Sequence, residues 1–160
     1  MEFDFLKLLF ALYAFLPAYV ANATPTIFGG GATIDGERRF VDGRPIFGSH
    51  KTIRGFLSGL IAGTIIGFIQ GQVLSGFLLS FGALFGDLAG AFLKRRLSIP
   101  PGSIFPIIDQ LSFVLFAILF VLPFSCLTIE EIFSAIFFTP FFHLMTNTIA
   151  YFLNIKKHPW

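Results

Sequence analysis

Two aspartates stand near the ends of long apolar runs in the middle of the chain. Asp87 and Asp109 are separated by the cationic sequence Lys-Arg-Arg at positions 94–96. A carboxylate beside a membrane-length apolar run is costly to bury, so its presence indicates a functional site. Oxygen ligands suit a hard cation such as Mg²⁺, and cationic side chains bind phosphate. Residues 86–111 therefore predict a Mg²⁺-dependent phosphate site.

The composition excludes an ordinary soluble domain. Of the 160 residues, 55% are hydrophobic and 12% are charged, the mean hydropathy is +0.82, and 24 residues are phenylalanine. Apolar runs recur along nearly the whole length, which predicts an all-α, polytopic integral membrane protein with a single domain, residues 1–160. The net charge of +2 is too small to indicate nucleic-acid binding, and a single cysteine, Cys126, excludes an intramolecular disulfide.

Five membrane spans are predicted, over residues 3–23, 53–70, 73–93, 104–127 and 129–155, with cytoplasmic loops at 24–54 and 94–103. The first run has a rival interpretation as a signal peptide, because Ala21-Asn22-Ala23 resembles a cleavage site. However, Glu2 and Asp4 make its leading segment acidic, whereas a signal peptide begins with basic residues. We therefore expect a retained first span.

The basic residues indicate how the chain is oriented in the cell membrane. Of the eleven Lys and Arg residues, all but Lys7 lie in the two predicted loops or in the C-terminal tail with Lys156 and Lys157. The short connections around residues 70–72 and 125–131 carry none. The positive-inside rule then predicts an outer amino terminus and a cytoplasmic carboxyl terminus. All candidate site residues face the cytoplasm, where nucleoside triphosphates are found.

The long polar loop opens with three consecutive glycines, Gly29, Gly30 and Gly31. Glycines without a Cβ atom let backbone N–H groups approach an anion. The spacing is not that of a Walker A loop, which requires Gly-x-x-x-x-Gly-Lys followed by Ser or Thr. The alternative is that these glycines form a flexible linker.

A second polar group stands where the loop meets the second span. Lys51, Thr52 and Arg54 lie at the start of that predicted helix, where unpaired N–H groups favour a phosphate. Their alternative role is membrane anchoring by positive charge. Asn22 lies at the inner end of the first span, where it either caps the helix or faces a polar ligand.

Glycines recur at every fourth position in the second and third spans. Such ridges of small residues let helices approach closely in lipid. If the two ridges pack together, Asp87 lies beside the second span. Asp87 and Lys94 share one helix face, and Asp87 has the alternative role of a structural partner for Lys94 or Arg54. The ridges comprise Gly55, Gly59, Gly63, Gly67 and Gly71 in the second span, and Gly82, Gly86 and Gly90 in the third.

The last two spans carry further polar signals. If the third and fourth spans form an antiparallel hairpin, Asp87 and Asp109 converge as a bridging metal requires; the alternative for Asp109 is to complement its helix dipole. Thr-Ile-Glu-Glu at 128–131 has the form of a capping box that starts the fifth span. Thr139, His143 and Asn147 recur on one face, and we expect them to join helices by hydrogen bonds rather than to bind metal.

These motifs resemble those of the CDP-lipid synthases, the CTP:phosphatidate cytidylyltransferases. Gly86-Asp87, the cations at 94–96 and Asp109 match the order of that signature, and residues 50–56 resemble its Lys-Thr-x-x-Gly-Phe segment. The small size, the position of Asn22 and the loop at 27–56 are more similar to the archaeal branch, the CDP-archaeol synthases. The Pro-Gly-His-Gly-Gly run of the phosphatidate branch is absent here, where residues 103–108 read Ser-Ile-Phe-Pro-Ile-Ile.

The resemblance implies cytidylyl transfer with Mg²⁺ as cofactor. CTP and a polyprenyl ether-lipid phosphate, an unsaturated archaetidic acid, would give CDP-archaeol and pyrophosphate in membrane phospholipid biosynthesis. Asp87 and Asp109 would be the metal ligands and, with Lys94, the catalytic residues. The implied substrate-binding residues are Asn22, Gly29, Gly30, Gly31, Lys51, Thr52, Arg54, Arg95 and Arg96.

Two other functions fit the same features. One is a different Mg²⁺-dependent lipid phosphotransferase of the same architecture. The other is a small membrane transport or assembly subunit, without enzymatic activity, in which the glycine ridges serve oligomer packing. That second function predicts acidic residues near the middle of the bilayer, whereas Asp87 and Asp109 are both predicted near one face.

Overall fold

The computed structural model describes residues 5–100, 103 and 105–152. Within those residues the chain is helical, with two isolated β-bridges and no strand, which confirms the predicted all-α class. The helices are α1 (Phe5–Ala23), α2 (Pro25–Phe28), α3 (Ile53–Ile69), α4 (Val73–Arg96), α5 (Pro106–Val121) and α6 (Ile129–Phe152), with a 3₁₀ turn at Leu122–Phe124.

The helix bounds differ from the predicted spans in three places. The short helix α2 was not expected inside the long loop. Helix α4 continues past residue 93 to Arg96, so the three cations lie in its last turn, where they complement the helix dipole. The expected 104–127 span divides into α5 and the 3₁₀ turn. Several features of the sequence lie outside the described residues: Glu2, Asp4, Pro101-Gly102, and the tail with Lys156 and Lys157.

Two helix starts follow from local sequence. The side chain of Thr52 accepts a hydrogen bond from the Gly55 N–H at 3.1 Å, which caps α3. At α6, the Thr128 N–H donates to Glu131 Oε2 at 2.8 Å, and the Glu131 N–H donates to Thr128 Oγ1 at 3.2 Å. This reciprocal pair confirms the predicted capping box.

Helix α4 lies at the centre of the bundle, in contact with α1, α3 and α5, while α6 packs on α1 and α5. Phe15 of α1 is fully buried in a core that includes Phe113 and Val114 of α5. The first helix is thus an integral part of the packed bundle. Tyr19 Oη lies 2.9 Å from Thr139 Oγ1, which confirms that a polar group of the last span joins two helices.

The glycine ridge of α3 packs as expected on neighbouring helices. Gly55, Gly59, Gly63 and Gly67 are buried, and a Cβ atom at Gly63 would lie 2.6 Å from the Pro17 carbonyl oxygen. Gly71 does not belong to this ridge, because α3 ends at Ile69. It lies exposed in the following turn with φ +74°, a conformation that glycine adopts without strain.

The second ridge packs elsewhere than expected. Gly82, Gly86 and Gly90 face α5, where a Cβ atom at Gly82 would lie 2.6 Å from the Phe116 carbonyl oxygen. Helix α4 turns Gly76 and Ser80 toward α3 instead. Because Gly82 is two residues beyond Ser80, it lies about 200° around the helix and cannot meet the same neighbour. The two ridges therefore do not pack on each other, although Asp87 still lies beside the start of α3.

Two of the described helices, Val73–Arg96 and Ile129–Phe152, are long and apolar enough to cross a membrane, and Ile53–Ile69 is a shorter apolar helix. At 24 residues, α4 is about 36 Å long, compared with a hydrocarbon core of about 30 Å. Large apolar side chains point outward from the bundle, among them Phe68, Phe137 and Phe152. Contact with lipid is favourable for such an apolar surface, whereas its exposure to water is unfavourable.

Candidate functional site

The carboxylate of Asp87 is bound by a lysine from the long loop. Lys51 Nζ lies 2.7 Å from Asp87 Oδ1 and 2.6 Å from Oδ2, and both side chains are about one-third exposed or less. This ion pair ties the residue before the α3 cap to the C-terminal half of α4. The partner of Asp87 is therefore Lys51, and neither Lys94 nor Arg54.

The second acid belongs to a separate ion pair. Lys94 Nζ lies 2.9 Å and 2.7 Å from the two carboxylate oxygens of Asp109, and it donates to the Ser103 carbonyl oxygen at 2.6 Å. The Phe105 N–H also donates to Asp109 Oδ2, at 3.0 Å. Asp109 lies in the first turn of α5, so backbone and lysine donors together fix its orientation.

Close packing of α4 on α5 brings the two pairs to one end of an antiparallel helix hairpin. A Cβ atom at Gly86 would lie 2.9 Å from Phe113 Cα, and one at Gly90 would lie 3.3 Å from Ile108 Cγ2. Asp87 and Lys94 are seven residues apart on one face of α4, a rise of about 10 Å. The two expected metal ligands thus project from neighbouring helices at the same end of the hairpin.

A cleft opens between the start of α3 and α4 beside the first ion pair. Its lining is partly polar, with the Lys51–Asp87 pair, and partly apolar, with Phe56, Leu84 and Leu88. Its lining residues are Pro25, Ile34, His50, Lys51, Thr52, Gly55, Phe56, Leu84, Asp87 and Leu88.

The loop glycines and Thr52 form one hydrogen-bonded unit. Thr52 Oγ1 accepts the Gly30 N–H at 3.1 Å in addition to the helix N–H that it caps. Gly30 and Gly31 have φ values of +109° and +78°, and Gly29 ends α2. The Gly30 N–H is therefore directed at Thr52, and the hydroxyl proton of Thr52 is the donor that this unit can offer to a ligand.

The remaining expected substrate-binding residues have different environments. Arg95 is buried, and its Nη2 donates to the Pro100 carbonyl oxygen at 3.2 Å; its Nε and Nη1 have no hydrogen-bond partner among the described residues. Arg96 contacts the long loop. Arg54 is exposed in the first turn of α3, and Asn22 is half-buried in the last turn of α1.

Comparison with known proteins identifies the family. A family model described as CarS-like, CDP-archaeol synthase, matches residues 4–76 and 71–160. The CDP-archaeol synthase of Methanococcus aeolicus is 46% identical, with 91% of this chain and 92% of that protein covered. The CDP-archaeol synthase of Pyrococcus furiosus is 43% identical, with 94% and 96% covered. This chain belongs to the CDP-archaeol synthase family.

A solved structure supports the same conclusion about fold and setting. It is described as an intramembrane enzyme for archaeal membrane lipids biosynthesis, and it matches with a TM-score of 0.80 and 35% identity over 88% of this chain and 94% of that one. The chain is thus a membrane-embedded cytidylyltransferase that forms CDP-archaeol, as its motifs predicted. The two alternative functions, a different lipid phosphotransferase and a non-enzymatic subunit, are set aside.

This activity implies CTP and archaetidic acid as substrates, and cytidylyltransferases generally use a divalent metal. In the described part of this synthase, no three His, Cys, Asp or Glu side chains gather at one point. Two carboxylates are nevertheless a sufficient protein contribution for Mg²⁺, which keeps several waters and takes its other ligands from substrate phosphates. The donor set of Asp87 and Asp109 therefore fits a metal that arrives with a nucleotide.

One residue that shapes this site was missed in the sequence. Asp35 is buried in the long loop, where its carboxylate accepts the N–H groups of Phe47, Gly48 and Glu37 at 2.9, 3.2 and 3.1 Å. These bonds fold the segment that leads to Lys51. The Asp-Gly dipeptide at 35–36, typical of a turn, was the signal that could have found it.

We expect the stability of this CDP-archaeol synthase to depend on Asp35 in acid. Burial alone raises the pKa of Asp35, but hydrogen bonds from Phe47, Gly48, Thr33 and Glu37 outweigh it and lower the pKa below its ordinary value. The free energy that ionised Asp35 contributes to folding is therefore fully present above the unfolded pKa of about 3.9, and it is lost as the pH falls through the folded pKa. Thermal unfolding of wild type and Asp35→Asn between pH 7 and pH 3 should show a difference in melting temperature that shrinks below about pH 4. A constant difference would contradict this role.

Proposed function

We propose that Asp87 and Asp109 together hold Mg²⁺ against the phosphates of CTP on the cytoplasmic side of the membrane. The observation that carries this proposal is the placement of the two Lys–Asp pairs at one end of the α4–α5 hairpin. Each carboxylate has a lysine beside it, so each pair offers an oxygen ligand for a cation and an ammonium group for a phosphate. When bound, the metal would neutralise the charge that develops on the leaving pyrophosphate.

The lysines and Arg95 would bind the phosphate oxygens. Lys51 and Lys94 each reach across from one element to another, so a small rotation of either side chain moves its ammonium group from carboxylate to phosphate. Arg95 presents a buried guanidinium with two nitrogens that lack hydrogen-bond partners among the described residues. A guanidinium fork matches the oxygens of a phosphate, and in a buried position that contact is stronger than in water.

Catalysis of this reaction depends on positioning the two substrates more than on covalent chemistry by the protein. An oxygen of the lipid phosphate would attack the α-phosphorus of CTP, the new P–O bond would form, and the bond to the β-phosphate would break with release of pyrophosphate. Because the lipid phosphate is already anionic at neutral pH, no side chain need act as nucleophile. The cationic residues would hold two anions that otherwise repel each other, which is the main barrier that they lower.

The smaller contacts complete the proposed site. The Thr52 hydroxyl and the Asn22 amide would contact CTP or its metal, and Arg54 would stand at the exposed mouth. Gly29, Gly30 and Gly31 would let the loop backbone pass close to the nucleotide. The polyprenyl chains would lie along the apolar side of the cleft, near Phe56, Leu84 and Leu88, with access from the bilayer.

The charge distribution supports the orientation. The described basic side chains of residues 38–54 and 94–96 lie at one end of the bundle, joined by contacts between Arg96 and the long loop. The proposal is five crossings, by α1, α3, α4, α5 with its 3₁₀ turn, and α6, with the amino terminus outside and the carboxyl terminus inside.

The experiment uses the full-length protein in lipid vesicles with CTP and unsaturated archaetidic acid. Product is measured both as CDP-lipid and as released pyrophosphate. We expect no turnover in EDTA and full recovery when Mg²⁺ is added back, with a weaker response to Ca²⁺, which is larger and less strict in geometry. Full turnover in EDTA would overturn the proposed metal site while leaving the family assignment intact.

A further inference from the structure

One cationic residue near the proposed site has its contacts taken by the long loop. Arg96 Nη1 lies 2.7 Å from Asp42 Oδ1, and its Nη2 donates to the Pro45 carbonyl oxygen. Its guanidinium carbon lies 4.7 Å from the ring centre of Phe40 and 4.8 Å from that of Phe92. Both terminal nitrogens of Arg96 are thus bonded to the loop and its guanidinium lies over two rings, which leaves its buried Nε as the nitrogen without a hydrogen-bond partner among the described residues.

The segment that Arg96 contacts is itself folded. The Phe40 N–H donates to the Arg44 carbonyl oxygen at 2.8 Å, and the Gly43 N–H donates to the Phe40 carbonyl oxygen at 2.9 Å. Arg39 Nη1 donates to the Gly43 carbonyl oxygen at 2.9 Å, and Arg44 Nη1 donates to the Arg96 carbonyl oxygen. We call residues 39–45 the loop turn. Because its internal bonds hold it together, it can be fixed or released as one unit.

The loop turn connects the two halves of the proposed site. Along the chain it leads through residues 46–50 to Lys51 and Thr52, while Arg96 directly follows Lys94 and Arg95. A contact between the loop turn and Arg96 therefore limits how far the Lys51 half can move from the Lys94 half. Asp35, which binds residues 47 and 48, makes the intervening segment rigid enough to transmit that limit.

We propose that Arg96 is a positioning residue, which clasps the loop turn to the end of α4 and sets the spacing of Lys51 and Lys94, and that it is not a phosphate ligand. The inference rests on the proposed function, in which the two lysines share CTP. The neighbouring Arg95 supplies the contrast, since it is buried and both its Nε and Nη1 lack a partner among the described residues, whereas both terminal nitrogens of the half-buried Arg96 are bonded to the loop turn. Arg95→Gln and Arg96→Gln are thus a matched pair with different expected outcomes.

The kinetic arm compares Arg96→Gln, Asp42→Asn and the double variant in full-length protein. Without the contact between Arg96 and Asp42, the loop turn occupies its position beside α4 for only part of the time. The apparent affinity for CTP then falls in proportion to the fraction of time that this position is occupied, while the bound complex still reacts. We expect the KM for CTP to rise on the order of tenfold in Arg96→Gln, which corresponds to a tenth occupancy, with kcat within about twofold. Asp42→Asn should act in the same direction, and the double variant should be no worse than Arg96→Gln.

The second arm measures the loop turn without any turnover. Trypsin cleavage of the Arg39–Phe40 bond in detergent-purified protein should be faster in Arg96→Gln and Asp42→Asn than in wild type, because release of the turn exposes that bond. Arg95→Gln should cleave at the wild-type rate while losing kcat. Both of these results are needed to support the clasp.

Two outcomes would overturn the inference. In the first, Arg96→Gln loses kcat at saturating CTP as deeply as Arg95→Gln and cleaves like wild type, which would make Arg96 a direct substrate ligand. In the second, cleavage accelerates but the KM for CTP does not change, which would show that the position of the loop turn does not affect CTP binding. Failure of the proposed function shows differently, as turnover that survives neutralisation of Asp87 or Asp109.

Discussion

We expect Asp87→Asn and Asp109→Asn each to lower the rate of CDP-archaeol formation by about 10³-fold or more, since metal-ion charge stabilisation is worth several kcal/mol and each 1.36 kcal/mol is tenfold in rate. Asparagine keeps the shape of the side chain and removes its charge. Each variant also leaves a lysine without its charged partner, and Lys94 is buried, so the amount of folded protein is measured together with the rate. The measurement is CDP-lipid formation over a range of Mg²⁺ concentrations.

The Mg²⁺ titration separates a metal ligand from a structural acid. In either variant, the Mg²⁺ concentration that gives half-maximal rate should rise, whereas loss of a structural ion pair would lower the amount of folded protein without moving that midpoint. Glu37→Gln is the matched control, because it removes one negative charge from an exposed position of the long loop. Near-normal rates with an unchanged Mg²⁺ midpoint in either aspartate variant would contradict the metal assignment.

We expect Gly86→Val to separate α4 from α5 and so to disable the enzyme. A Cβ atom at Gly86 meets the Ser112 carbonyl oxygen and lies 2.9 Å from Phe113 Cα, and backbone atoms of a packed helix cannot rotate away as a side chain can. Overpacking of this kind costs about 3 kcal/mol, a loss of about 6–12 °C in melting temperature for a chain of this size. A displacement of about 1 Å between Asp87 and Asp109 would lower the rate by about 10²-fold.

The control for this variant is Leu93→Val, a β-branched substitution at an exposed position of the same helix. It isolates the effect of branching on helix stability, which is a few tenths of a kcal/mol. Melting temperature and turnover are measured in the same detergent preparation. If Gly86→Val melts and reacts like Leu93→Val, the close approach of α4 and α5 does not set the site geometry.

Membership of the CDP-archaeol synthase family places these expectations in a known reaction, and the structure relates them to one piece of architecture. Helix α4 carries Asp87 and Lys94 on one face and its glycine ridge on another. Asp87 meets Lys51 of the long loop, Lys94 reaches Asp109 of α5, and the glycine ridge packs on α5. The helix therefore joins the two ion pairs. Substitutions on either face should lower the same activity, on one face by removing charge and on the other by changing the packing of the helices.

Features that depend on neighbouring residues along the chain were predictable. The capping box at Thr128 and the start of α3 after Thr52 follow from side chains that bond to backbone groups three residues away. The glycine ridge of α3 follows from the helical period, and the membrane class follows from composition. The order of acids and cations in residues 86–109 was enough to indicate a metal–phosphate site, and together with Asn22 and the loop at 27–56 it indicated the family.

Contacts between distant segments were not predictable in the same way. The sequence offered Lys94 or Arg54 as partners of Asp87, but the observed partner is Lys51, and Lys94 is bound to Asp109. Spacing along α4 places Asp87 and Lys94 on one face, yet two turns of helix hold their charged groups apart. The choice of partner depended on the path of the loop through residues 24–52. That loop has no hydrophobic periodicity from which its contacts could be predicted.

Composition, helical period and motif order are properties of the chain, so they were enough to predict an all-α membrane protein, the residue types of the proposed cytidylyltransferase site and the family that carries them. It took the folded structure to show which lysine meets which aspartate, which helix receives the second glycine ridge, and that Arg96 is engaged by the loop. Those outcomes depend on which faces of α4 its neighbours cover, and that is fixed by the packing of all the helices together.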